Sequence, residues 1–242
     1  MAAPATPIPD PSTDKPSRPR RRIPLSLRMF VAMLAILGVG SVLWVGIPAY
    51  RQHLAIVEIE RVKGTVLLTR PRGPQWLRGS IGNGWTKLLL DDVVSVNLAD
   101  SEVTDSTLVY LTGLPHLERL WLNRTAVTDA GLIHLASLTG LQELGLQGTR
   151  MGDAGLAHLT GLTKLEILFV SQTKLTDAGL RHIQGFTRLQ KLSLENTQVS
   201  DAGLAHLAVL SRLQRLYVGE SKVTEAGLSE LRSALPNVNI HR

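Results

Sequence analysis

The chain has 242 residues, of which 44% are hydrophobic, 19% are charged and only 4% are aromatic. This length suits one repeat domain with appendages or two small globular domains, and leucine rather than aromatic side chains must fill the interior. The sequence contains no cysteine, which excludes disulfides, thiolate metal sites and a thiol nucleophile.

Most of the positive charge lies at the N-terminal end. Residues 1–51 contain seven Lys and Arg against two Asp, so they carry +5 of the net charge of +6, and residues 52–242 are nearly neutral. A basic segment ahead of an apolar run is more typical of a membrane protein than of a nucleic-acid-binding surface. We therefore expect no nucleic-acid partner.

The first fifty residues predict a tail followed by a membrane span. Residues 1–24 contain seven prolines and few large apolar side chains, which predicts a disordered Pro/Arg-rich cytoplasmic tail. Met29 to Ile47 is an uncharged run of 19 residues, long enough for about 28 Å of helix. We interpret residues 25–50 as a transmembrane signal anchor, with the N-terminus cytoplasmic and the rest of the chain extracytoplasmic.

Two alternatives to the anchor stay open. A cleaved signal peptide needs a small-x-small site, and Ile47-Pro48-Ala49 is a poor candidate for one. A buried core helix is the other alternative, although no other segment is continuous enough to surround it. If the anchor is present, the lipid bilayer is one partner of this chain.

Residues 51–92 do not repeat and predict an N-terminal cap. They are typical of a helix over about 51–62, a turn at Gly64, a strand over 65–69 and a short helix after Pro74. The apolar side chains expected to cover the edge of the following domain are Trp76, Leu77, Ile81 and Trp85.

From Val103 onward the sequence recurs every 24 residues. Each unit opens with a motif such as VTDAGL and closes with an apolar-x-x-apolar-x-apolar segment, as in Leu117-x-x-Leu120-x-Leu122. Alternating apolar residues predict a strand with one buried face, and leucines such as Leu132 and Leu135 recur at helical spacing. One strand and one helix cannot bury a core alone, so the units must stack.

These residues resemble the leucine-rich-repeat family, in its bacterial membrane-anchored subtype with the pattern LxxLxLxxTxVTDAGLxxLxxL, over roughly residues 93–240. The resemblance implies an α/β solenoid with parallel strands on the concave face and helices on the convex face. Together with the N-terminal transmembrane helix this gives the expected architecture. Residues 93–242 would hold the repeats, which end in a shortened closing unit with a strand at Val238-x-Ile240.

Two polar columns in the repeats have structural interpretations. Thr, Ser or Gly precedes the acid of each opening motif, at an expected helix N-cap, and the acid itself falls in the first turn, where the helix dipole favours it. Hydroxyl residues follow each strand and are expected to satisfy backbone groups of the turn. This hydroxyl column consists of Ser101, Thr125, Thr149, Thr173, Thr197 and Ser221.

The alternation of the strands predicts which side chains face solvent on the concave face. Trp121, Phe169 and Tyr217 fall in one column on alternate strands, about 9–10 Å apart. We predict that this column and its neighbour bind a partner, because aromatic and Arg side chains are common interface hot spots. The predicted binding residues are Trp121, Phe169, Tyr217, Arg119, Glu143, Ile167, Lys191 and Arg215.

One alternative is that the aromatic residues only stabilise the sheet by cross-strand packing. Gly145 and Ser193 stand between them in the same column. Such small residues predict shallow pockets between the rings rather than direct stacking.

Histidines also recur, at His134, His158, His182 and His206, but each precedes a leucine or isoleucine at the same core position of the repeat, so repetition explains them better than a metal site does. No phosphate loop or nucleophile–base motif is present. We expect neither catalysis nor a cofactor. The leading hypothesis is a membrane-tethered module that binds an unidentified protein or peptide through its concave face. A structural or self-associating envelope protein and a carbohydrate-binding module are the alternatives.

Overall fold

The computed structural model describes residues 47–71 and 91–242. Its first elements are helix α1 (Ile47–Arg61), strand β1 (Thr65–Pro71) and strand β2 (Asp91–Asn97). The later strands have three residues each: β3 (Arg119–Trp121), β4 (Glu143–Gly145), β5 (Ile167–Phe169), β6 (Lys191–Ser193), β7 (Arg215–Tyr217) and β8 (Asn239–His241).

A short helix follows each strand from β2 to β7. These helices are α2 (Asp105–Leu111), α3 (Asp129–Leu132), α4 (Asp153–His158), α5 (Asp177–Leu180), α6 (Asp201–Leu204) and α7 (Glu225–Ala234). The four-residue helices continue as 3₁₀ turns over Ile133–Leu135, Arg181–Gly185 and Ala205–Val209. The repeat therefore holds one strand and one helix, as predicted, with several of the helices tightening into 3₁₀ geometry.

The eight strands form one sheet in sequence order. Strands β2 to β8 are parallel, with each residue opposite the residue 24 positions later, as in Val96↔Leu120. Strand β1 is antiparallel to β2 and pairs Thr65 with Asn97. The strand predicted over 65–69 is thus present and two residues longer, and the predicted closing strand is β8.

Several predictions fall on residues 1–46 and 72–90, outside the described part of the chain. They are the tail, nearly all of the apolar run 29–47, and the short helix with Trp76, Leu77, Ile81 and Trp85. Within residues 47–71 and 91–242, no helix combines the length and apolar character that a bilayer crossing requires.

The core consists of the leucines that the repeat pattern places inward. In β3 and its flanks Leu117, Leu120 and Leu122 are fully buried, and Leu132 and Leu135 of the facing helical segment are buried as well. Equivalent positions in all the repeats join one continuous cluster. Since full burial of a leucine side chain is worth about 1.5–3 kcal/mol, stacking of these units is the main source of stability.

The predicted N-cap positions are confirmed at Thr104, Thr128, Gly152, Thr176, Ser200 and Thr224. The side-chain oxygen accepts a helix N–H at Thr128, Thr176 and Thr224, and no such bond forms at Thr104 or Ser200. The acid that follows each of the first five N-caps has a second role that the sequence analysis missed. Asp153 accepts the N–H of Thr176 at 2.8 Å and the hydroxyl of Thr176 at 2.7 Å, and Thr176 is the N-cap of the next repeat. Asp105, Asp177 and Asp201 bind the next N-cap in the same way. The carboxylates therefore link consecutive repeats.

Asp129 shows the same link without a hydroxyl partner. It accepts the N–H groups of Gly152 at 2.6 Å and Gly155 at 2.9 Å. The last acid of the column, Glu225, instead binds Arg242, which follows the closing strand, with Nη1 to Oε1 at 2.6 Å. At Asp201 the hydroxyl and then the backbone N–H of Thr224 hold the pKa of the carboxyl below its usual value.

A glycine in each of the helices α3 to α7 makes room for this carboxylate. A Cβ on Gly131 would collide with the Asp105 carboxylate of the preceding repeat, and Gly155, Gly179, Gly203 and Gly227 face their preceding Asp in the same way. The first repeat has Thr107 at this position, and the residue 24 positions before Asp105 is Ile81 rather than an acid. Glycine thus occurs in the repeats that receive a carboxylate.

The hydroxyl column behaves as predicted. Each Ser or Thr donates to the carbonyl oxygen three residues earlier, at 2.6–2.7 Å. The residue before each hydroxyl has a positive φ of 51–69°, and only Gly148 among these residues is glycine. The hydrogen bonds of the hydroxyl column therefore stabilise a turn with positive φ, a conformation that non-glycine residues rarely adopt.

Candidate functional site

The concave face, which is the face of the sheet pointing away from the leucine core, carries two aligned columns of side chains. The register places Asn97, Trp121, Gly145, Phe169, Ser193, Tyr217 and His241 in the central column. The adjacent column holds Ser95, Arg119, Glu143, Ile167, Lys191, Arg215 and Asn239. All eight predicted binding residues therefore lie on one face, in the predicted register.

Trp121 and Phe169 are in direct contact, so the prediction of isolated rings with shallow pockets is wrong for this pair. Their ring centroids are 5.8 Å apart and the planes differ by 27°. The cause is Gly145, which lies between them and has no side chain. A Cβ there would be 2.5 Å from Trp121 Cε3, so the indole occupies the space that any other residue would fill.

The Lys191 ammonium group, rather than another aromatic ring, lies between Phe169 and Tyr217. Lys191 Nζ lies 4.9 Å from the centroid of Phe169 and 5.3 Å from that of Tyr217. Such contacts contribute about 0.5–1 kcal/mol at exposed sites. Lys191 thus bridges the gap that Ser193 leaves in the central column.

His241 extends the row at its C-terminal end. Its ring stacks on Tyr217 with centroids 4.6 Å apart and planes 12° from parallel. His241 was not among the predicted binding residues, although it lies 24 residues after Tyr217, and this offset alone places it in the column. We call Trp121, Phe169, Lys191, Tyr217 and His241 the aromatic row.

The aromatic row is only partly open to solvent. Trp121, Phe169, Lys191 and Tyr217 are half-buried, while His241 is exposed. In the adjacent column Arg119, Glu143 and Ile167 are half-buried and Arg215 is exposed. The mutual stacking shows that the aromatic residues do pack across strands, so a structural contribution from them is present whether or not they also bind a partner.

Polar groups beside the aromatic row are held by hydrogen bonds. Asn123 Oδ1 accepts the N–H of Gln147 at 3.0 Å. The hydroxyls of Ser171 and Ser193 are 2.6 Å apart and buried, and Ser193 also donates to Glu195 at 3.3 Å. These bonds fix the backbone and the floor of the face, which favours a preorganised surface.

The four repeated histidines lie on the opposite side of the sheet, in or next to the helical segments, and are half-buried. Across residues 47–71 and 91–242, no three His, Asp or Glu side chains are close enough to share a metal ion. The expectation of no metal site stays a prediction.

Comparison with solved structures identifies the fold. A leucine-rich-repeat protein from Leptospira interrogans superposes with a TM-score of 0.51 and 23% identity over 62% of this chain. The chain has the leucine-rich-repeat fold. An internalin C2 from Listeria monocytogenes gives a TM-score of 0.48 at 24% identity, covering 63% of this chain and 75% of the internalin.

The matched region is 37% of the Leptospira leucine-rich-repeat chain, so this chain spans about a third of that protein. A scan against family models gives no match, and a search of curated proteins gives none. The comparisons thus support the leucine-rich-repeat fold, while the partner has to be inferred from the concave face.

Proposed function

We propose that this chain is a membrane-tethered interaction module that binds a protein or peptide through its concave face. The observation that supports this function is the aromatic row, a continuous series of four rings and one cation across strands β3 to β8. Aromatic anchors surrounded by polar residues are typical of interface hot spots.

The surroundings of the aromatic row favour a polypeptide partner. Arg119, Glu143 and Arg215 in the adjacent column place charges of both signs beside the rings. Such a face combines apolar contacts with ion pairs and hydrogen bonds, which suits a peptide that contains both apolar and charged side chains. A parallel sheet with strands about 4.8 Å apart repeats these contacts at regular steps along its length.

The binding proposal is tested by peptide selection on the full chain, purified in mild detergent because of the apolar run 29–47. Peptides from a random dodecapeptide library that bind the wild type are measured against a Trp121→Ala/Phe169→Ala/Tyr217→Ala variant. The matched control is Tyr110→Ala/Ile133→Ala/Val209→Ala, which removes three exposed apolar side chains from the helical side.

We expect the concave-face variant to lose most selected peptides and the control variant to retain them. Circular dichroism must show that both variants are folded. Equal retention by the two variants would reject the concave-face assignment. Binding to a glycan array that the same concave-face variant abolishes, without any peptide binding, would replace the peptide partner by a carbohydrate.

The membrane part of the proposal has its own support in the sequence. The uncharged run Met29–Ile47 follows the basic segment of residues 15–28, which favours a cytoplasmic N-terminus and extracytoplasmic repeats. A phosphatase reporter active only outside the cytoplasm, fused after Arg242, should be active. An active cytoplasmic-only reporter at the same position would reverse the orientation.

A further inference from the structure

The three repeats that contain β5, β6 and β7 carry a concentration of positive charge at and just before the start of these strands. Lys164, Arg188 and Arg212 occupy equivalent turn positions, 24 residues apart, and all three are exposed. Lys191 and Arg215 follow on β6 and β7, where they lie in register as direct neighbours. We call these five residues the basic edge.

The basic edge has no acidic partner within the described part of the chain. The salt bridges there involve other residues: Arg61–Glu58, Arg124–Asp100, Arg232–Glu225 and Arg242–Glu225. Two carboxylates next to β5 and β6 bind other groups: Glu166 accepts from Gln190 Nε2 at 3.2 Å, and Glu195 accepts from Ser193. Lys191 and Arg215 are like charges directly opposite on the sheet, an arrangement that is destabilising and that a bound anion would relieve.

The earlier repeats do not share this charge. The turn positions equivalent to Lys164 hold His116 and Gly140, and the adjacent column there contains Glu143 beside Arg119. The concave face and the turns that precede its strands are therefore basic over β5 to β7, while β3 and β4 carry charges of both signs.

A surface depression lies at the basic edge. It has a volume of about 390 Å³, and its polar lining residues are Gln190, Ser211, Arg212, Gln214 and Asn237. Amide, hydroxyl and guanidinium groups can all donate hydrogen bonds to a carboxylate, and Arg can do so in a bidentate manner. The depression therefore fits an acidic side chain better than an apolar one.

We propose that the partner of the concave face is a polypeptide segment with a short acidic stretch, whose carboxylates pair with the basic edge while neighbouring apolar side chains cover the aromatic row. This inference rests on the proposed function. The carboxylate of Glu143 disfavours a uniformly charged polymer such as a nucleic acid, because such a polymer would extend over it. A segment that is acidic at one end only matches the change of charge along the face.

The inference is tested with the peptides selected above, by measuring dissociation constants for the full chain in detergent. The charge variant is Lys164→Glu/Arg188→Glu/Arg212→Glu. The matched control is Arg150→Glu/Lys174→Glu/Lys222→Glu, which makes the same change in net charge at exposed turn positions that follow the strands instead of preceding them. A synthetic copy of each peptide with Asp and Glu replaced by Asn and Gln provides the reciprocal change.

We expect enriched peptides to contain clustered Asp and Glu, and the charge variant to weaken their binding about tenfold or more while the control has little effect. The amide copies should bind about as weakly to the wild type. Peptides that require the aromatic row but tolerate both the charge variant and the amide substitutions would overturn the acidic partner and leave the proposed function intact. Peptides that bind without the aromatic row would overturn the proposed function itself.

Discussion

Trp121 stacks on Phe169 across an intervening strand, with ring centroids 5.8 Å apart. Strand β4 separates the two residues and contributes Gly145 to the column between them. The glycine is buried under the indole ring, and a Cβ at this position would also lie 2.7 Å from Asn123 Oδ1. The contact therefore depends on a missing side chain in the repeat between the two rings.

Gly145→Ala should separate Trp121 from Phe169. In the wild type, a double-mutant cycle of Trp121→Ala and Phe169→Ala in urea unfolding should give a coupling of about 0.5–1.5 kcal/mol. In the Gly145→Ala background we expect the coupling to fall close to zero. Gly219→Ala is the control, since its Cβ would lie 3.5 Å or more from the surrounding atoms. An unchanged coupling in the Gly145→Ala background would contradict this account of the stack.

Asp153→Ala should destabilise the chain by about 1–3 kcal/mol, because it leaves the N–H and hydroxyl of Thr176 without their acceptor. Glu225→Ala is the matched change at the end of the array, where the acid is exposed and forms an exposed ion pair with Arg242. Its effect should stay below about 1 kcal/mol. Urea denaturation measures the free energy of unfolding of both variants. Equal losses of stability in Asp153→Ala and Glu225→Ala would argue against a link between repeats.

Gly131→Ala should be destabilising even though alanine is the better helix former by about 1 kcal/mol. The added methyl group collides with the Asp105 carboxylate. The same substitution in an Asp105→Ala background should therefore cost less than it does in the wild type. Thermal or urea unfolding of the four proteins measures this difference, and strictly additive effects would show that the glycine does not serve the carboxylate.

Stability at low pH should depend on Asp201. Its pKa is lowered in the folded chain, chiefly by the Thr224 hydroxyl, so its stabilising contribution is present above the unfolded-state pKa. That contribution is lost as the pH falls through the folded-state value. Thr224→Val should move the pKa of Asp201 back toward the ordinary value, and Asp201→Asn should remove the titration.

The measurement is the free energy of urea unfolding at a series of pH values from about 7 down to about 2. Both variants should lose less stability than the wild type over the acidic part of this range. Parallel curves for the three proteins would show that the Asp201–Thr224 bond does not contribute to acid sensitivity.

Much of the fold was predictable because the same 24-residue sequence pattern recurs in each repeat. The strand register follows from the alternation around Leu120 and Leu122, and the N-caps and hydroxyl turns recur at fixed offsets. The link from Asp153 to Thr176 was harder to predict, because a first-turn acid is already explained by the helix dipole. Thr107 was the available signal, since it replaces glycine in the one repeat without a preceding acid.

The strand register of the candidate site was predicted from the sequence, but the contacts between its side chains were not. Side-chain directions on a strand do not fix the rotamer of Trp121, which depends on the empty space above Gly145 in another repeat. The positive φ angles of Arg124, Gln172 and Glu220 are a similar case. These residue types have no marked preference for that conformation, so only the bonds around the turn reveal it.

The hydrogen bonds between neighbouring repeats join residues at fixed sequence separations, and this limits which changes in chain length the fold can accept. The carboxylate links to the next N-cap span 23 residues, the Asp129–Gly155 bond spans 26, and the Asn123–Gln147 bond spans 24. Duplicating or deleting one complete unit at a turn preserves every such offset, while a gain or loss of a few residues does not. Each added unit would lengthen the concave face by about 4.8 Å. The length of the concave face can therefore change by whole repeats during evolution, because each added repeat supplies its own core residues.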